Sequence, residues 1–329
     1  MNAPAAFNAF RWLIWDTFRQ STASRVFWVM LVATSLCIAF CFSVRVEGGA
    51  PTHVDGENEI YGADGKLLTD PEHVRGHLSL GFGAVRMPLF RTGESEIQFI
   101  LALLGKWVAG AGGLLLALIW TAGFLPDFLQ PSAAAVLLAK PMPRWGLLLG
   151  KFLGVLAFVG AQATLFFVGT WLALGLRTGF WHPAYLLGIP LLVVNFGGVY
   201  GFSVLLATWS RNTIACLFGS ILFWLVSLGM NYGRHAALTW SSLAPDSPGL
   251  PRSFQFLIEV GYWILPKPAD LIVMLDAAIG AREHFGKIQE FEYVQRHGQF
   301  FPELSVLSSL LFTVAILFVA ARKLKTAEY

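Results

Sequence analysis

The sequence predicts an all-α polytopic membrane protein. It has six transmembrane helices with N-in/C-in topology, an N-terminal interfacial helix and two long extracytoplasmic loops. Three observations carry this reading. Of 329 residues, 56% are hydrophobic and 13% charged, whereas soluble domains carry roughly 25% charged residues. Six apolar runs approach or exceed the ~20 residues that cross a bilayer. Basic residues gather on alternate short connections between those runs. The net charge of +3 is too small and too dispersed for nucleic-acid binding.

The elements follow in order. Residues 1–25 form a cytoplasmic lead. Within it, the stretch FNAFRWLIWDTFRQ places Phe7, Phe10, Ile14 and Phe18 on one helical face with Leu13 beside them. Arg11 sits at the edge of that face, and Asp16 and Arg19 lie off it. Such a helix lies in the interface; the plainer alternative is the first turns of a tilted span. The spans are 26–44, 97–124, 152–174, 184–208, 213–230 and 304–321. The third can begin as early as Arg144 if Lys151 snorkels to the headgroups. Between the spans lie an outer loop (45–96), a cytoplasmic linker (125–151), an outer turn (175–183), a cytoplasmic turn (209–212) and an outer loop (231–303). Residues 322–329 form a cytoplasmic tail. No small-residue cleavage site follows the first run, so no signal peptide is expected. Cys37, Cys41 and Cys216 fall inside apolar runs, which argues against a disulfide framework.

Charge sets the orientation. With the N-terminus inside, the cytoplasmic pieces hold ten bases, among them Arg11, Arg144, Lys151 and Arg211, against Asp16, Asp127 and Glu328. The outer loops hold nine acids with five bases (45–96) and eight acids with six bases (231–303). Bases near span ends on short loops decide topology, although Arg177 on the short outer turn runs against the trend.

In the first loop, DGENEIYGADGK and TDPEH are turn material, and residues 77–90 alternate weakly, as a small hairpin or an interfacial segment would. In the second, residues 254–265 and 269–281 are apolar-periodic, too short to span and separated by Pro-Lys-Pro. They fit two surface helices or a re-entrant pair, the latter tolerated only when buried in protein. Residues 282–302 read as solvent-facing. Small residues recur every four positions at Gly105, Ala109 and Gly113, at Gly146, Gly150 and Gly154, and at Gly197 and Gly201. These faces serve either bundling within the chain or a seam with another copy. Ionisable residues inside the spans are scarce. Lys106 either snorkels or pairs with a loop carboxylate or an anionic headgroup. Asn195 reads as an interhelical hydrogen bonder, and Glu94 and Glu96 mark the outer rim of the second span. No Walker A loop, HExxH or GxSxG occurs. The histidines, including His73, His77, His182 and His235, fall in outer segments without metal-ligand spacing to cysteine; His73 and His77 are four apart, which would suit a metal on a helix, but the glycine in PEHVRGH argues against one. No catalytic, cofactor-binding or metal-binding residue is therefore expected in this chain.

The linker is the most informative segment. In PDFLQPSAAAVLLAKPMPRWGLLLGK, Pro126 and Pro131 end the second span, residues 132–140 can form a short helix, and Pro141 and Pro143 stop it. Arg144 and Trp145 anchor the next turn at the headgroups. Geometry alone leaves two readings open: an ordinary interfacial turn, or a rigid piece that passes force from a cytoplasmic partner.

Leu137, Leu138, Pro141, Arg144, Leu148, Gly150 and Lys151 match a pattern like LLxxPxxRxxxLxGK. On these residues the chain resembles the permease subunit of ABC-2 type transporters, in the branch of NosY and the gliding-motility permeases. The lead at 7–22, the six spans, the turn at 209–212 and the stretch YWILPKPAD at 262–270 resemble that family too. The family's acidic residue and glycine before the short helix are represented only approximately, by Asp127 and by Pro131 and Ser132. The resemblance implies a non-enzymatic permease in the bacterial cytoplasmic (inner) membrane, exporting an unidentified substrate. It would pair with a second permease copy or a related permease and with two cytoplasmic ABC ATPase subunits, on which ATP and Mg²⁺ are bound. It assigns the ATPase-coupling linker to Asp127, Leu137, Leu138, Lys140, Pro141, Arg144 and Lys151, with Lys106 and Asn195 as polar residues inside the membrane. The alternatives are a non-transport scaffold or sensor that binds a partner through its outer loops, and a membrane-embedded enzyme acting on lipid.

Overall fold

The computed structural model describes residues 15, 17–47, 76–89, 93–129, 144–243, 251–281 and 289–326. Six of its helices are long and apolar enough to cross a membrane: Arg25–Ser43, Gly93–Asp127, Trp145–Thr178, Pro183–Ser210, Thr213–Trp240 and Pro302–Lys325. The chain is a multi-pass membrane protein built on a helical bundle.

A short helix α1 (17–23) leads into α2 (Arg25–Ser43). The second span is composite: α3 (Gly93–Leu103), a π-helical stretch (Leu104–Gly113) and α4 (Leu114–Thr121), with short α5 (Phe124–Phe128) below. Then come α6 (Arg144–Thr178), a 3-10 turn (Pro183–Leu187), α7 (Gly188–Ser210) and α8 (Thr213–Leu243). Two shorter helices, α9 (Arg252–Ile264) and α10 (Pro268–Ile279), precede α11 (Gln289–Arg296) and the last span, α12 (Pro302–Thr326). The side of the bundle holding α1 and the end of α12 is called the terminal face here, and the opposite side the loop face.

Several boundaries differ from the expected spans. The third helix starts at Arg144, the earlier of the two expected starts. Nothing in the run from Trp145 breaks a helix, and Lys151 is buried against protein rather than snorkelling. At 35 residues it is about 52 Å long and exceeds the ~30 Å hydrocarbon core. The fifth helix continues past the expected end at 230 to Leu243. Its polar residues there do not end it, because they find buried partners on neighbouring helices.

The first long connection departs from the all-α expectation. Strands β1 (Arg45–Glu47), β2 (Gly76–Leu80) and β3 (Val85–Leu89) form an antiparallel sheet in that order. Val46 pairs with Leu78, and Leu78 in turn with Met87. Of the two readings of 77–90, the hairpin is the one found. Its turn needs positive φ at Gly81 (61°), Phe82 (57°) and Gly83 (98°), and glycine supplies two of the three at no steric cost. The Gly81 N–H donates to Ser43 Oγ at 3.0 Å, tying the sheet to the end of α2.

Two apolar clusters fill the bundle. Toward the terminal face, Trp120, Phe124, Phe152, Phe158, Phe196 and Tyr200 pack together. The Phe152 and Phe196 rings stack on Tyr200 at 5.6 and 5.4 Å, a geometry that contributes about 0.5–1.5 kcal/mol per pair beyond burial. Toward the loop face, Ile97, Leu101, Phe167, Tyr185, Leu275 and Ile279 form the second cluster. Small residues serve contacts within the chain. A Cβ on Gly154 would stand 2.9 Å from Thr17 Oγ1, and one on Gly201 would stand 3.0 Å from Ile316. In the π-helical stretch the expected four-residue stripe does not hold. Each wide turn brings a carbonyl five residues back beneath the glycine, so a Cβ on Gly113 would meet the Val108 oxygen at 3.3 Å.

Candidate functional site

The connection between α9 and α10 decides what the second loop is. Pro266 and Pro268 prevent the two helices from merging, and Pro268 opens α10 at a position where its missing N–H costs nothing. Pro266 lies against Gly198, where a Cβ would come within 3.1 Å of its ring. Gly198 stands twelve residues from Ser210, the terminal-face end of α7, which is about 18 Å along the helix. The elbow therefore reaches the middle of the bundle, and α9 and α10 are a re-entrant pair rather than surface helices. Non-helical backbone at such depth must be satisfied by protein. The Lys267 N–H donates to Ser309 Oγ at 3.2 Å, and the Leu265 N–H donates to the Gly261 carbonyl at 2.9 Å.

Asp270, in the first turn of α10, is the centre of a buried polar hub. Its Oδ1 accepts from Asn231 Nδ2 at 2.8 Å and from His235 Nε2 at 2.7 Å. Its Oδ2 accepts from Tyr262 Oη at 2.9 Å and Ser305 Oγ at 2.6 Å. Its N–H donates to Asn231 Oδ1 at 2.9 Å. An ionised carboxylate only accepts, so the His235 tautomer carries its proton on Nε2. Asp270, His235 and Ser305 are fully buried. Burial pushes the Asp270 carboxyl up, but His235, Ser305 and Asn231 outweigh it and hold the group below its ordinary value. A carboxylate offers about four acceptor sites, and all are taken. The hub is thus a lock that joins α8, α9, α10 and α12, with no capacity left for a metal or substrate.

Beside it lies Lys267, also fully buried. Its Nζ donates to Ser308 Oγ at 2.5 Å and stands 4.6 Å from the Tyr262 ring centre. The Arg234 guanidinium covers the same ring at 4.3 Å and donates to Glu259 Oε2 at 3.1 Å. Burial pulls the Lys267 ammonium down to about 8, with Arg234 adding to the fall and Asp270 opposing it.

A second tie holds α10 from the other side. Lys106, in the π-helical stretch, places Nζ 4.0 Å from Asp276 Oδ2. Next to it Gly105 lies against Leu275, where a Cβ would come within 2.8 Å of the leucine methyl. Burial pushes the Asp276 carboxyl up to about 6, against the opposing pull of Lys106. Its Oδ1 is buried without a hydrogen-bond partner among the described residues.

The remaining sequence-selected residues lie elsewhere. Lys151 is 2% exposed and donates to Gln20 Oε1 at 2.7 Å, beneath the Phe124 ring at 5.9 Å. Asp127 is exposed on α5, and Arg144 opens α6. Leu137, Leu138, Lys140 and Pro141 lie outside the described residues. Asn195 is buried with no partner for its Oδ1 among the described residues, so that oxygen does not make the expected interhelical bond. His182 Nε2 sits 3.7 Å from Glu94 Oε1 at the loop-face rim. Among the described residues, no group of three or more His, Cys, Asp or Glu could hold a metal ion.

The sequence reading missed the hub. His235 was expected in an outer loop and instead lies inside α8, fully buried. The readable signal was spacing: Asn231, Arg234 and His235, and again Ser305, Ser308 and Ser309, put polar groups three and four apart on one helical face. No family model matches the chain, and no curated protein matches it.

Proposed function

We propose that the chain is the permease subunit of an ATP-driven exporter of the ABC-2 type in a bacterial inner membrane. It works with a second permease copy or a related permease and with separate ATPase subunits that bind ATP and Mg²⁺. One observation supports this reading above the others. Lys151, which closes the cytoplasmic linker pattern, is buried and bonded to Gln20 of the N-terminal lead, 131 residues away. The two pieces that would meet an ATPase are thereby joined to each other at the start of α6. ATPase closure against the linker would move both together, and the bundle would change its population of states. The hairpin locked by Asp270 would keep the loop-face half rigid, so reorientation would begin at the terminal face.

The test is co-purification with an ATPase subunit carrying a Walker A loop, followed by ATPase assays in vesicles. Lys151→Met and a replacement of residues 140–144 should each insert normally but lower substrate-stimulated ATP hydrolysis. Normal stimulated hydrolysis in both variants overturns the coupling role.

A further inference from the structure

At the terminal face, a groove of about 500 Å³ runs between the start of α6 and the end of α12. That volume lies within the roughly 300–1,000 Å³ of ordinary ligand sites. Its walls are apolar, with Leu149, Leu317 and Phe318 along its length and Trp145 at its mouth. Arg322 and Lys325 complete the lining, and no acidic residue contributes to it. Both cations are exposed, and neither pairs with a carboxylate among the described residues. The Arg322 guanidinium rests 4.4 Å over the Phe318 ring, which holds its charge at the mouth. From Val314, the deepest lining residue, to Arg322 is eight residues, or about 12 Å of helix. Cations and tryptophan thus sit at headgroup depth, while the apolar walls continue into the acyl region.

We infer that this groove binds an anionic phospholipid of the leaflet at the terminal face. Its phosphate would lie between Arg322 and Lys325, and one acyl chain would lie along Leu149, Leu317 and Phe318. Charge favours a lipid over a second copy of this chain. The described residues of the segments on this face hold eight Lys and Arg against one acid, Asp127, so two copies would meet with repulsion. This site is independent of the transport reading and needs only the membrane-spanning bundle.

Native mass spectrometry on the purified full chain tests the inference, with phosphatidylglycerol and phosphatidylcholine of identical chains as probes. The wild type should retain phosphatidylglycerol preferentially, a measurement that requires no variant. A base near the surface contributes about fivefold to anionic-lipid binding, so Arg322→Gln with Lys325→Gln should lower that affinity roughly 25-fold. Ala321→Trp keeps both cations, fills the groove and should also lose the lipid, while water-soluble glycerol 3-phosphate should not displace it. Equal retention of the two lipids overturns the site. So does displacement by glycerol 3-phosphate, or loss in the charge variant with full retention in Ala321→Trp. A lipid-free wild-type dimer that Ala321→Trp dissociates would assign the groove to a second copy instead.

Discussion

Replacing Asp270 by asparagine tests the lock directly. The carboxylate accepts four hydrogen bonds, from Asn231, His235, Tyr262 and Ser305. Asparagine keeps one acceptor oxygen and turns the other position into a donor, so two of these donors face an NH₂ group. Leaving a buried donor unsatisfied costs about 1–3 kcal/mol. The substitution also leaves buried Lys267 and Arg234 without their nearest fully buried anion, and breaking a buried charge arrangement from one side costs about 3–5 kcal/mol. The two estimates overlap, so about 3–5 kcal/mol is expected. At about 2 °C per kcal/mol for a chain of this size, Tm in detergent should fall by about 6–10 °C. Glu259→Gln is the control. That carboxylate is 46% exposed, and its pair with Arg234 should contribute no more than about 0.5–1 kcal/mol. A Tm for Asp270→Asn as close to wild type as that of Glu259→Gln would refute the view that the hub holds the hairpin.

Three further outcomes follow from the packing and the charges. Gly198→Leu places a side chain where Pro266 already lies within 3.1 Å of the glycine's Cβ position; overpacking should cost about 1–3 kcal/mol, read as a lowered Tm. Asp276, raised to about 6, binds a proton more tightly in the folded than in the unfolded state. Its contribution is therefore fully present below the unfolded value near 4 and lost as pH rises to about 6. Asp276→Asn should flatten the fall in Tm across that interval, and an unchanged slope would exclude Asp276 as its source. Lys151→Met should free the N-terminal lead, so trypsin should cut at Arg19 or Arg25 faster than in wild type; equal rates would mean that the bond to Gln20 does not hold the lead.

Hydropathy made the six spans legible because each needs only its own residues. The hairpin was legible as two apolar-periodic pieces broken by Pro-Lys-Pro, but not its depth. Twelve or thirteen apolar residues suit a membrane surface as well as a buried cleft, and only Gly198, on another helix, separates the two. The hub was hidden for a related reason. The partners of Asp270 lie 39 residues away at Asn231, 35 at His235 and 35 at Ser305. The very residues that complete it, Asn231 and His235, lower local hydropathy and so suggested that the fifth span had ended. Lys106 showed the limit differently. Its position inside a span raised the question of a partner, but the choice of Asp276 depended on α10 folding back.

The hub also orders the events of membrane insertion. Ser305, Ser308 and Ser309 belong to α12, which is made after the hairpin, so Asp270 and Lys267 cannot gain their full set of partners until that helix is in place. Until then Asp270 has only Asn231, His235 and Tyr262 to meet it and Lys267 lacks Ser308, which favours an undocked hairpin at the loop face. A chain truncated before residue 302 would keep its first five spans but leave the hairpin undocked. In a growing chain, the docking of α9 and α10 therefore waits for the insertion of α12.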